Sequence, residues 1–229
     1  MRRVAIIPAR GGSKRLPRKN ILPLCGKPML VYAVETAKKS KLFDEVIVST
    51  EDDEIKKIAS EAGAVVMHRS DDLATDQSSV DQVCVDVMKQ LADQNKKPNS
   101  FCVIYPTAAF LESEDLIGSE KKLDQSDVVM GVSAYPIHPY KALEEKDGRL
   151  KPVFPVENNR KSQTYPHWVA SNGTFYWCKT APFLDKPDFY PDKLSGYELP
   201  LDRSVDIDTP EDYAWAQHLM TIKTGKKSC

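Results

Sequence analysis

The stretch VAIIPARGGSKRLPRKN (4–20) opens with a short apolar run and passes directly into a loop rich in glycine, arginine and lysine. The run at 4–8 predicts a buried β-strand, and the apolar spacing at 28–40 predicts a helix after the loop. Short β-branched runs and helical patterns keep alternating along the first half of the chain. Further strands are predicted at 45–50, 64–68, 101–106 and 127–132, and further helices at 52–61, 79–94 and from Ser113 onward.

This alternation is typical of an α/β fold with right-handed crossovers around a mainly parallel twisted sheet. Ligands of such sheets bind beyond the carboxyl ends of the strands, where the loop after the first strand is expected. The pattern changes at 133–171, where five prolines and several aromatic residues leave no clear helix. We expect one domain over 1–229, with 133–171 inserted as an arm. Beyond the arm, strands are predicted at 174–178 and 204–208, and a helix at 209–220 with Thr209 as its N-cap.

The composition of the 229-residue chain excludes several classes of protein. Its 32 basic and 33 acidic residues leave a net charge of −1, which argues against a nucleic-acid-binding protein. No apolar run approaches the roughly 18 residues that a membrane-spanning helix needs, so we expect no membrane partner. The five cysteines are scattered and include no CxxC pair, which favours reduced thiols and a cytoplasmic location over a zinc site.

The loop at 9–20, called the basic loop below, is a candidate phosphate site. The segment 1–27 contains eight basic residues and no acidic one, although the whole chain is nearly neutral. Loop glycines allow backbone N–H groups to face an anion, and arginine and lysine then neutralise it. The loop is neither a GxxxxGK[ST] nor a GxGxxG element. A solvated basic loop without a ligand remains the alternative interpretation.

Asp206 and Asp208, called the acidic pair below, stand two residues apart in SVDID (204–208). Alternate side chains of an extended strand share a face, so both carboxylates point the same way while Val205 and Ile207 face the core. Two carboxylates with room for water and phosphate suit Mg²⁺. A solvent-facing strand end explains an isolated DxD equally well. Together with a phosphate loop, the pair favours a metal-assisted triphosphate site.

Several segments resemble the cytidylyltransferases that activate sialic-acid-type sugars. The similar segments are IIPARGGSKRLPRKNI (6–21), CGKPML (25–30), FDEVIVSTEDDEI (43–55), RSDDLATD (69–76), YPTAAF (105–110) and DIDTPED (206–212). Within this family, YPT and YPIHPYKAL (135–143) resemble the pseudaminic-acid branch. The resemblance implies a Rossmann-like nucleotide-diphospho-sugar transferase fold, a homodimer, and transfer of CMP from CTP to a nine-carbon 2-keto-3-deoxy sugar acid with release of pyrophosphate.

The resemblance also implies roles for individual residues. The expected catalytic residues are Arg10, Lys19 and Asp208, and the acidic pair is expected to bind Mg²⁺. The expected nucleotide-binding residues are Ala9, Arg10, Gly11, Gly12, Ser13, Lys14, Lys19, Asn20, Arg69 and Ser79. The expected sugar-binding residues are Tyr105, Lys141, Arg160, Gln163 and Asn172, some of them reaching the neighbouring protomer's site. Tyr105 stands where sialic-acid members usually carry glutamine, which argues for a different sugar.

Two alternatives to this function stay open at the level of sequence. The same reaction could use N-acetylneuraminic acid, legionaminic acid or an (amino-)3-deoxy-octulosonic acid. A non-catalytic nucleotide-sensing module would bind CTP without turnover.

Overall fold

The computed structural model describes residues 1–225 and contains a mixed α/β architecture. The strands are β1 (Arg3–Pro8), β2 (Pro23–Leu24), β3 (Lys27–Pro28), β4 (Glu45–Thr50), β5 (Val65–His68), β6 (Ser100–Ile104), β7 (Val128–Ala134), β8 (Leu143–Lys146), β9 (Arg149–Pro152), β10 (Val169–Lys179) and β11 (Leu194–Glu198). Seven of them form the central sheet in the order β11-β7-β10-β6-β1-β4-β5. The strands β2 and β3 pair with each other, as do β8 and β9, outside this sheet.

Seven α-helices lie in the described part of the chain, and most of them present an apolar stripe to one face of the sheet. They are α1 (Met29–Ser40), α2 (Asp53–Glu61), α3 (Val80–Asp93), α4 (Ser113–Glu120), α5 (Pro155–Asn158), α6 (Thr180–Asp185) and α7 (Pro210–Thr224). Asp52 caps α2 by accepting a hydrogen bond from the Ile55 N–H, and Thr209 caps α7 in a capping box with Asp212. The helices predicted from the sequence therefore begin within one residue of the expected positions.

The strand directions define where a ligand can bind. The neighbours β6, β1, β4 and β5 run parallel, and β11 runs parallel to β7. Only β10 runs antiparallel within this sheet, between β6 and β7. The mainly parallel sheet predicted from the alternating pattern is thus confirmed. The basic loop, which follows β1, and the segments that follow β5 and β6 meet at the carboxyl edge of the sheet.

A third apolar cluster, distinct from the two that cover the sheet faces, supports this edge. It joins Leu16 of the basic loop to Met29 of α1, to Ile207 between the two aspartates, and to Ala216 and Met220 of α7. Ile207 is fully buried and Leu16 nearly so. Burial of such side chains contributes about 1.5–3 kcal/mol each. The basic loop and the acidic pair, which are far apart in the sequence, are therefore supported by the same apolar cluster.

The structure corrects the sequence interpretation at several elements. The segment 204–208 forms no strand and pairs with no strand of the described chain, so the strand predicted there is wrong. Ile207 still turns inward and Asp206 outward, so the predicted alternation of side chains holds. The strand β11, the helix α6 and the β8–β9 hairpin were not predicted. The strand predicted at 174–178 is the second half of the longer β10.

Three cysteines, Cys84, Cys102 and Cys178, are buried free thiols, as the sequence predicted. Cys25 departs from that expectation because it is disulfide-bonded. Cys229 lies outside the described residues. No helix within 1–225 has the length and apolar character needed to cross a membrane. The cytoplasmic location stays a prediction.

Candidate active site

The basic loop has a defined conformation because an acidic side chain from outside and an amide side chain of the loop itself bind its backbone. The Gly11 N–H donates to Glu51 Oε1 at 2.7 Å, and Asn20 Nδ2 donates to the Arg10 carbonyl at 2.9 Å. A Cβ at Gly11 would lie 2.5 Å from Asp52 Oδ2, so the close approach of the loop requires glycine here. The expected role of Gly11 as a phosphate donor is thus modified, because its N–H already serves a carboxylate of the protein.

Arg18 is the cation that holds the end of the basic loop. Its guanidinium donates to both carboxylate oxygens of Asp52 and to Glu54. The hydrogen bond from Arg18 lowers the pKa of Asp52 below its usual value, although partial burial opposes this shift. Arg18 also has a φ of 56°, a left-handed backbone conformation in which the chain reverses before Lys19. The guanidinium is therefore committed to the protein and is not a candidate phosphate ligand.

The basic loop and the acidic pair meet at the carboxyl edge of the sheet. Lys19 Nζ lies 2.6 Å from Asp208 Oδ1, and Arg15 Nη2 lies 2.5 Å from Asp208 Oδ2. Opposite charges thus come together from residues that are far apart in the sequence. A common triphosphate site, as interpreted from the sequence, requires the basic loop and the acidic pair to lie close together, and they do.

The two aspartates differ in their electrostatic surroundings. Although Asp206 is exposed, nearby protein atoms partly desolvate its carboxylate, and with the negative charge of Asp208 this raises the pKa of Asp206. Limited hydration acts in the same direction on Asp208, but the hydrogen bond from Lys19 and the charges of Lys19 and Arg15 outweigh it and lower the pKa of Asp208. The protein therefore provides two close carboxylates and neutralises only one of them well.

Two adjoining cavities extend from this meeting point and share Arg10, Lys19 and Asn20. The first, of about 160 Å³, continues between the segments after β5 and β6 and is also lined by Arg69, Ser79 and Tyr105. The second, of about 340 Å³, is lined by charged side chains: Arg10, Lys14, Arg15, Lys19, Asp76 and Asp208, together with Ser13 and Asn20. A partly apolar compartment next to a cationic one suits a nucleoside carrying a phosphate chain.

Arg69 is a buried cation in the first cavity. Its side chain is 3% exposed and donates from Nη2 to the Ser49 carbonyl at 3.0 Å. Burial lowers the pKa of this guanidinium, while the carboxylate of Glu51 partly restores it. Burying an arginine is costly unless the guanidinium is paired, and here the Ser49 carbonyl and the charge of Glu51 offset part of that cost.

The comparisons with known proteins agree on one family. A family model described as cytidylyltransferase matches residues 4–150. The chain belongs to the cytidylyltransferase family. It is 30% identical over 226 residues to a pseudaminic acid cytidylyltransferase of Campylobacter jejuni, with 97% of both chains covered. It is 31% identical over 229 residues to a CMP-N,N'-diacetyllegionaminic acid synthase of Legionella pneumophila, again with 97% of both covered.

A solved structure supports the fold independently. The structure of a CMP:2-keto-3-deoxy-manno-octonic acid synthetase complexed with CTP aligns with a TM-score of 0.72 and 18% identity, covering 97% of this chain and 100% of that chain. This likeness confirms the Rossmann-like nucleotidyltransferase fold that the sequence predicted. The chain is therefore an enzyme-family member with the fold of the nucleotidyltransferases.

Asn172 of this cytidylyltransferase has a different environment from the one expected of a sugar ligand. Its Nδ2 donates to Ser133 Oγ at 3.0 Å, and its Oδ1 accepts from Thr174 Oγ1 at 2.6 Å and from the Thr174 N–H at 3.3 Å. These bonds lie at an irregularity where the pairing of β10 with β7 shifts between Ser171 and Tyr176. The amide is thus engaged in holding this bulge, which presents Gly173 beside the Asp206 carboxylate.

The arm residues expected to bind sugar lie outside the two cavities of the cytidylyltransferase. Lys141, Arg160 and Gln163 line neither cavity. Lys141 Nζ instead donates to the Asn158 carbonyl at 2.7 Å within the arm. The remaining expected nucleotide residues, Ala9 and Gly12, belong to the backbone course of the basic loop, and Ala9 is fully buried. Within one chain, the structure does not bring the arm residues to the acidic pair.

Sequence reasoning missed the acidic residues that contact the basic loop. Glu51 and Asp52 follow β4, and Asp76 follows β5, so all three reach the loop from the carboxyl ends of neighbouring strands. All three belong to segments that carried the family resemblance. The alternating strand pattern could have found them, because carboxyl ends of adjacent parallel strands meet at one edge.

Proposed function

We propose that the chain transfers CMP from CTP to the anomeric hydroxyl of a nine-carbon 2-keto-3-deoxy sugar acid and releases pyrophosphate. Pseudaminic acid is the first candidate, because it is the sugar named for a relative of nearly equal length. Legionaminic acid is the next, since it is named for the Legionella relative. The observation that carries the proposal is the 2.6 Å contact between Lys19 and Asp208, which places the cationic and acidic halves of the site in one cleft.

The acidic pair has the ligand type and the number of carboxylates that suit Mg²⁺ at a phosphate site. Within residues 1–225 there is no group of three or more His, Cys, Asp or Glu side chains that could enclose a metal ion. Mg²⁺ at phosphate sites commonly uses one or two carboxylates and takes its other ligands from phosphate and water. The incompletely neutralised charge of Asp206 and Asp208 favours such a cation. When bound there, Mg²⁺ would supply positive charge to the phosphate oxygens.

The chain's own residues provide the remaining parts of an in-line displacement. Arg10, Lys14 and Lys19 line the charged cavity and neutralise the phosphate oxygens, whose negative charge grows as pyrophosphate leaves. The attacking hydroxyl forms a bond to the α-phosphorus, and the bond from that phosphorus to the bridging oxygen of pyrophosphate breaks. A carboxylate of the acidic pair is proposed to accept the hydroxyl proton.

Tyr105 is proposed to contribute to the choice of sugar. It lies directly after β6, lines the first cavity, and packs with its ring centroid 6.0 Å from that of Tyr176. Burial raises the pKa of Tyr105, so the phenol stays protonated and can donate a hydrogen bond. A large aromatic donor at this place would favour a sugar acid other than the common sialic acid.

We also propose that the arm mediates a homodimer. The arm exposes several apolar side chains: Ile137, Leu143, Leu150, Val153 and Val156. Such a patch is typical of a surface that another protein covers. The proposed partner at this surface is a second copy of the chain. The side chains expected to contact the sugar do not line the two cavities of their own chain, and in a homodimer they would make these contacts in the partner's site. These residues are Lys141, Arg160 and Gln163.

A substrate panel tests the proposed reaction. Pyrophosphate release is measured with CTP, Mg²⁺ and each of pseudaminic, legionaminic, N-acetylneuraminic and 3-deoxy-octulosonic acid, and the nucleotide is then varied. Turnover with CTP and a nine-carbon acid supports the proposal. Preference for 3-deoxy-octulosonic acid, the eight-carbon acid of the panel, would change the assigned substrate. Binding of CTP without turnover on any acid would favour the nucleotide-sensing alternative.

A further inference from the structure

Asp76 extends into the charged cavity from the segment between β5 and α3. Its Oδ1 lies 2.7 Å from Arg10 Nη1, and its Oδ2 lies 2.5 Å from Lys14 Nζ. Hydrogen bonds from Lys14 and then from Arg10 lower the pKa of Asp76, so the carboxylate is ionised at neutral pH. One carboxylate of the protein thus neutralises two cations that the proposed function assigns to phosphate.

The surroundings of Asp76 oppose a role as a metal ligand. Its two ion-pair partners are both cations, and positive charge repels a divalent metal ion. Asp208 is different, because it also lies beside Asp206 and the two carboxylates interact. Asp76 therefore resembles a phosphate group in its interactions, because it is an anion whose two oxygens each accept a hydrogen bond from a cation of the basic loop.

We infer that Asp76 is an affinity-setting residue of the cleft, which competes with the triphosphate of the substrate and with the pyrophosphate product for Arg10 and Lys14. The inference rests on the proposed function, since the competition exists only where phosphate binds these cations. The contact is exchangeable, because the Asp76 side chain is 37% exposed and that of Lys14 is 85% exposed. Competition weakens binding of CTP, and the same competition favours release of pyrophosphate.

The substitution Asp76→Asn tests this role because it keeps the size of the side chain and removes its charge. Asp71→Asn is the matched control: it removes the same charge from the same segment, and Asp71 is an exposed residue that does not line the cavity. Binding of CTP and of pyrophosphate is measured by calorimetry for both variants and the wild type, once with Mg²⁺ and once with EDTA. We expect D76N to bind both ligands about threefold to tenfold more tightly than wild type in both buffers, as expected when two partly exposed ion pairs no longer compete.

A double-mutant cycle with Lys14 makes the test specific. In a Lys14→Gln background one of the two contacts is already lost, so the gain from D76N should shrink. Equal affinities of D76N, D71N and wild type would overturn the inference, as would weaker binding by D76N, which would show that Asp76 assists the bound nucleotide. Weaker binding only with Mg²⁺ would assign Asp76 to the metal instead. Failure of the wild type to bind CTP in either buffer would overturn the proposed function itself.

Discussion

Lys19 and Asp208 are 189 positions apart in the chain, and their side chains meet at 2.6 Å. The contact joins the loop after the first strand to the turn before the last helix. It depends on a shared apolar support, because Leu16 and Ile207 pack in the same cluster beneath it. Charge alone would not fix this geometry, since a partly exposed ion pair contributes only about 0–1 kcal/mol.

Asp208→Asn should lower turnover by at least about 100-fold, because it removes charge from the proposed metal site at the reacting phosphate. The fold should stay intact, since asparagine has the same shape. Initial rates of pyrophosphate release measure the effect, and Asp202→Asn, an exposed acid in the same segment, is the matched control. Turnover close to that of wild type would remove Asp208 from the catalytic residues.

Asp52→Asn should make stability depend less on pH. Because Arg18 lowers the pKa of Asp52 in the folded protein, the ionised pair stabilises the fold above the unfolded pKa of about 4. This contribution is lost as the pH falls through the lower folded value. Asparagine still caps α2, so the substitution isolates the charge.

Thermal unfolding of the Asp52→Asn variant is therefore compared with that of wild type between pH 7 and pH 3. The difference should amount to roughly 1 kcal/mol at pH 7 and should become smaller toward pH 3. Asp53→Asn, whose side chain is 95% exposed, serves as the control and should show little difference. A gap that persists unchanged at pH 3 would contradict the assignment to charge.

Asn172→Ala should destabilise the fold by about 1–3 kcal/mol, because Ser133 and Thr174 lose their hydrogen-bond partner. A positioning role predicts that the melting temperature falls and that kcat falls with it, since the bulge lies beside Asp206. Ser133→Ala should reproduce part of the effect from the other side of the bond. A rise in KM for the sugar acid alone, with unchanged stability, would instead show direct contact with the sugar.

Val156→Glu should dissociate the proposed homodimer, because it places a charge in the exposed apolar patch of the arm, where Val156 is 70% exposed. Molar mass in solution, measured by light scattering or sedimentation, should fall from two chains to one. Ile222→Glu is the control, since Ile222 is 66% exposed on α7 and lies outside the arm. A monomeric wild type, or equal effects of both substitutions, would remove the arm as the interface.

The sequence was informative where a local pattern determined local structure. The apolar spacing of α3 places Val83, Val87 and Leu91 in the core, and the capping residues Asp52 and Thr209 mark helix starts. The direction of β10 and the pairing of β11 could not be predicted, because strand neighbours depend on contacts between distant segments. The 204–208 segment looked like a strand for the same reason: its alternation is real, but no neighbouring strand pairs with it.

For the candidate site, the sequence identified the residues but not their partners. Arg10, Lys19 and Asp208 line one cavity as expected. The contacts of Glu51 with Gly11 and of Asp76 with Arg10 and Lys14 were not foreseen. No spacing rule connects these residues, since each contact forms only when neighbouring strands bring their carboxyl ends together.

The cluster that unites Leu16, Met29, Ile207 and Met220 has a consequence for biosynthesis. Leu24 and Phe110 precede α7 in the chain and belong to this cluster with Leu16 of the basic loop, but Ala216 and Met220 complete the cluster only after α7 has been translated. The cleft is therefore fully supported only when α7 is present, and truncations that delete this helix should leave a folded sheet without a usable cleft.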